Sequence, residues 1–125
     1  TQYRDSFQNL QTVTGYGVYV NDDALGNKQY LVYADAWPGN QQYDELDYVV
    51  DTIDLNTAEP GIIIKEMHNV FGNSASINFN PPDPITTITQ LNGGENTIDV
   101  VFSLESDLDV TKTVSVNTSG LIEVK

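Results

Sequence analysis

A chain of 125 residues with five basic and eighteen acidic side chains carries a formal charge of -13, and this excess repels any partner that is bound through its phosphates, which excludes nucleic acid. The length sets one domain, large enough to bury roughly two thirds of the surface that its unfolded chain exposes. There is no cysteine, so neither a disulfide framework nor a thiolate metal site is available.

In chain order, Tyr3, Phe7, Leu10 and Thr14 recur at helical spacing over QYRDSFQNLQTVT, which predicts a helix over residues 1–14 that ends at Gly15. Tyr3, Phe7 and Leu10 are the candidates for packing that helix onto a sheet. TGYGVYV then places Tyr16, Val18 and Val20 on one face of a strand, with Gly17 and Tyr19 on the other. NDDALGN is a hairpin loop, and KQYLVYAD the next strand. DYVVDTIDL is a strand with one wet face. GIIIKE, with its β-branched triplet Ile62 to Ile64, predicts a central strand covered on both faces.

KEMHNVFGNSA is weakly patterned and reads as a connection. ASINFN alternates up to Pro81, Pro82 and Pro84, which forbid further ladder pairing. ITTITQL, NTIDVVFSL, DVTKTVSVN and LIEVK are the remaining strands, separated by the turn sequences NGGEN, ESDLD and NTSG. All seven tyrosines precede residue 49. One domain with two structural halves accounts for that shift.

The loop ADAWPGNQQYDELD is the most unusual segment. Asp35, Asn40, Asp44, Glu45 and Asp47 fall close together in it. Hard cations take six to eight oxygen ligands, so Asp35, Asn40, Asp44 and Asp47 form a candidate calcium set; the same residues also read as a solvated acidic turn. Trp37, the sole tryptophan, and Tyr43 are candidate ligand contacts by stacking. Equally, a tryptophan before Pro38 packs down as a lid on the core. His68 is the only histidine. Without cysteine or a spaced set of partners it supports no triad and no zinc site, so no catalytic residue is assigned.

Read together, RDSFQNLQTVTGYGVYV, YLVYADAWPGNQQYDELDYVVDTIDL, GIIIKE, SINFNPPDP, TIDVVFSL and KTVSVNTSGLIEVK resemble a type IV pilin-like protein. The nearer resemblance is to the minor pseudopilins of type II secretion and to fimbrial minor pilins. In that family an apolar N-terminal helix anchors the precursor in the cytoplasmic membrane. A peptidase trims and methylates its start, and the helices pack into a filament core beneath β-rich heads. Members often carry an Asp-Asn-Gly-Tyr-Asp loop, which the Asp35 to Asp47 segment resembles, although Trp37 and Pro38 depart from it.

The expectation is therefore an α+β fold, the end of a long N-terminal helix on an antiparallel β head. It would be a non-catalytic filament subunit at the cell surface or in the periplasm, with pilin or pseudopilin subunits and the membrane as partners. The alternative from another class is a secreted, carbohydrate-binding and calcium-stabilised β-sandwich.

Overall fold

The computed structural model describes residues 2–81 and 85–125; the expectation for Pro82 and Pro84 lies outside them. Runs of Val, Ile, Thr and Tyr broken by Gly, Asn and Asp give strands and turns. The strands are β1 (Gln2–Arg4), β2 (Leu10–Asn21), β3 (Gln29–Ala36), β4 (Tyr48–Asp54), β5 (Ile62–His68), β6 (Ser74–Asn80), β7 (Ile85–Ile88), β8 (Thr97–Leu104), β9 (Thr111–Asn117) and β10 (Ile122–Val124). One short helix, α1 (Leu55–Ala58), follows β4, and the Asp54 side chain caps it by accepting from the Asn56 N–H.

All pairings are antiparallel. The first sheet runs β4-β3-β2-β6-β7, with β1 also on β2, and the second runs β10-β9-β8-β5. Register explains how they meet. Val18 lies opposite Val32 on one side and Ile77 on the other, and Val20 lies opposite Ala75, so one face of the first sheet is continuously apolar. Val100 beside Val114 and Ile98 beside Val116 do the same for the second sheet. The two faces close on a core of Val20, Ala75, Ile77 and Ile88 from one sheet and Ile64, Ile98, Val100 and Val116 from the other, with Leu55 of α1. This is a β-sandwich.

The expected N-terminal helix is not formed, and with it the α+β fold is overturned. Residues 2–4 and 10–21 are the two arms of a hairpin, with Gln2 opposite Thr12 and Arg4 opposite Leu10. Three local causes outweigh the helical stripe. The Asp5 carboxylate accepts the N–H groups of Phe7 and Asn9, each at 2.9 Å, closing a turn where a helix would need those donors for itself. Gln8 sits at φ 69, in the left-handed region that interrupts a right-handed helix. Beyond it, Thr12, Val13 and Thr14 are β-branched and are followed by Gly15 and Gly17, poor material for a helix.

The helix-to-sheet packing expected of Tyr3, Phe7 and Leu10 fails with the helix. Tyr3 is half-buried against Tyr16 and Tyr48, with ring centroids 6.5 and 5.7 Å away. Phe7 and Leu10 are 84% and 55% exposed.

Two further differences concern the sheets. β5 is an edge strand rather than a central one, yet Ile63 and Ile64 are both buried, and the Ile64 N–H on its outer edge donates to the Asn27 carbonyl at 2.8 Å. Its C-terminal half takes in Lys65 to His68, which the sequence suggests as part of a connection. β4, by contrast, is exposed on both faces from Val49 to Thr52, whereas Tyr48, Ile53 and Asp54 are half-buried. No helix among the described residues is long and apolar enough to cross a membrane.

Candidate functional site

The outer face of the first sheet carries a second buried layer, polar and aromatic, and the loop between β3 and β4 lies over it. Tyr33, Asp35, Ser76 and Asn78 are all buried there. The alternation of ASINFN explains the last two, since Ile77 and Phe79 face the core and Ser76 and Asn78 must face away. Tyr33 crosses this face above Gly17 and donates its hydroxyl to Asn78 Oδ1 at 2.9 Å. A Cβ at Gly17 would stand 2.5 Å from the Tyr33 ring and hydroxyl, so only glycine leaves room for that path. Burial pushes the Tyr33 phenol far above its usual range.

The loop is fastened at several points. Its Tyr43 ring packs on Tyr19 and Tyr33 at centroid distances of 4.7 and 5.5 Å, and the Tyr43 N–H donates to Ser76 Oγ at 2.9 Å. Burial again raises the phenol, here that of Tyr43. Asp35, almost without solvent contact, would be costly to bury unless its oxygens found donors. They find Gln41 N–H at 2.8 Å and Thr14 Oγ1 at 3.1 Å. Asp47 closes the loop base by accepting Ala36 N–H and Asp44 N–H, both at 2.9 Å. Asn40 Nδ2 donates to Asp44 at 2.6 Å. Gly39, at φ 82, passes so close to Thr14 that a Cβ would collide with its side chain. The Trp37–Pro38 bond is cis.

These contacts leave a hollow of about 230 Å³ on the outside of the loop, lined by Asp35, Asn40, Asp44 and Asp47 together with Trp37 and Leu46. The four residues expected to share a cation therefore do share one hollow. Their oxygens, however, largely accept hydrogen bonds from the loop, and among the described residues no group of three or more His, Asp or Glu side chains is arranged to hold a metal ion. Desolvation, with the carboxylates of Asp35 and Asp44 adding to it, pushes Asp47 up to about 6.

Trp37 and Tyr43 do not form a pair. Tyr43 is the side chain that packs down, whereas Trp37 stands 68% exposed at the rim with Leu46 at 80%. Sequence reasoning left out the support beneath the loop: Thr14, Tyr33, Ser76 and Asn78. The polar alternation of β6 and the glycine opposite Tyr33 are the signals that mark it. His68 lies apart, at the end of β5, its Nε2 3.2 Å from Glu66.

Comparison with protein-family models, with curated proteins and with solved structures finds no match for this chain.

Proposed function

We propose that this domain is a non-catalytic binding module, a β-sandwich that presents the Trp37 loop to a carbohydrate. The observation that carries this reading is a large aromatic ring held out in solvent beside a hollow of fixed hydrogen-bonding groups. A tryptophan face offers apolar area to the C–H face of a sugar ring, while the remaining lone pairs of Asp44 and Asp47 and the second amide N–H of Asn40 offer partners to its hydroxyls. The loop is fastened by Tyr43, Asp35 and Asp47, so little ordering entropy is lost on binding. The filament-subunit reading drew its physical support from an N-terminal helix, and a hairpin stands in that place.

The test uses Trp37 itself. Being the only tryptophan, it reports directly on its own burial. Titration with soluble cello-, manno- and xylo-oligosaccharides should shift and enhance its emission with a saturable curve for at least one series. In Trp37→Ala, calorimetric binding of that series should fall at least tenfold with the melting temperature unchanged. Emission that stays constant to millimolar concentrations of every series, or calorimetric affinity retained in Trp37→Ala, refutes the reading.

A further inference from the structure

A second cavity, of about 300 Å³, lies between the two sheets and belongs to a different part of the molecule. Its floor is core: Val20, Ile64 and Val100 are buried. Towards the mouth stand Phe79 from the first sheet and Phe102 from the second, both half-buried, and the lip is Ile122, 56% exposed. The lining is apolar throughout except for the hydroxyl of Tyr30. The lip belongs to β10, which pairs with β9.

We propose that this cavity is a binding site for an uncharged single-chain hydrocarbon, of the kind represented by a medium-chain fatty alcohol. Apolar cavities of roughly half this size stay dry and take up small hydrocarbons. Sugars and ions are excluded, because the lining side chains offer only the Tyr30 hydroxyl to replace the hydrogen bonds they would lose. Charge decides the head group. With a net charge of -13 on the chain, an anionic amphiphile meets repulsion as it approaches the mouth, and a neutral one does not. Each methylene taken from water contributes roughly a fourfold gain in affinity, so binding should tighten with chain length until the cavity is full.

The experiment follows the fluorescence of N-phenyl-1-naphthylamine, an uncharged apolar probe, and its displacement by 1-hexanol, 1-octanol and 1-decanol. Emission should rise saturably with the wild-type chain. Decanol should displace the probe on the order of tenfold more tightly than octanol, and decanoate at neutral pH should compete more weakly than decanol. Val114→Phe and Val18→Phe, which fill the space, should each weaken the probe at least tenfold while keeping the wild-type circular dichroism. If one of them does not fold, Ile122→Trp at the lip takes its place. Trp37→Ala should bind the probe as the wild type does, which separates this site from the carbohydrate reading. Absence of any saturable rise, equal binding by the folded filled variants, or loss of binding in Trp37→Ala overturns the proposal.

Discussion

Replacing Gly17 with alanine tests whether the buried polar layer holds the Trp37 loop in place. The new methyl would sit 2.5 Å from Cζ and Oη of Tyr33, a fully buried side chain that cannot swing into solvent. Overpacking of this kind costs about 1–3 kcal/mol. Moving the ring also breaks its hydrogen bond to Asn78, whose buried Oδ1 then lacks a donor although Nδ2 still donates to Asn80, for about 1–3 kcal/mol more. Alanine's lower unfolded-state entropy returns roughly 0.5–1 kcal/mol.

The net expectation is a loss of about 3 kcal/mol and, for a domain of this size, a fall in melting temperature on the order of 10 °C. Far-UV circular dichroism is the appropriate readout, since Trp37 is already largely exposed when folded. Tyr33→Phe removes one of the two clashing atom groups, so in the double variant the two losses should fall short of their sum by at least about 0.5 kcal/mol. A Gly17→Ala melt within a degree of wild type, or strict additivity, would show that Tyr33 does not bear on Gly17 in this way.

Gly39→Ala should destabilise as well, through both its positive φ and the collision with Thr14, and should broaden or shift the Trp37 emission; unchanged emission and melting would contradict the loop geometry. Asp47 titrates higher in the folded state, at about 6, than in the unfolded chain, near 4. Its contribution to stability is therefore complete below pH 4 and lost as pH rises through about 6. Asp47→Asn should flatten that part of the stability profile, and a variant profile parallel to wild type between pH 4 and 6 refutes the assignment. Asp5 behaves oppositely: hydrogen bonds from Gln11, Asn9 and Phe7 hold its carboxyl below the usual value, so its contribution is present above pH 4 and lost as pH falls through that lowered value. Asp5→Ala should speed amide exchange at Phe7 and Asn9 at neutral pH, and equal rates in the two proteins would remove the clasp from the explanation.

The strands were legible because period-two alternation and turn residues act locally: ASINFN, NTIDVVFSL and DVTKTVSVN coincide with β6, β8 and β9 to within a residue or two. The opening segment was misread because four apolar positions at helical spacing were weighed without the Asp5 side chain, whose capture of two amides decides the turn. Sheet order was not legible either. The Ile62 to Ile64 triplet announces burial on both faces, but burial does not distinguish a central strand from a covered edge. At the site, the sequence brought the acidic side chains and the two aromatics to one loop. It could not show which aromatic turns inward, because Tyr43 is selected by partners from distant strands, Tyr19 and Tyr33.

Among the described residues β4 has no strand on its outer side, which leaves a rail of backbone at the margin of the larger sheet, with Val49 and Val50 open to water beside it. Such a margin recruits further chains unless something keeps them away. Asp51, exposed on the strand itself, is that guard. An Asp51→Val variant should therefore turn turbid at concentrations at which the wild type stays clear, by strand-to-strand stacking that begins along this rail.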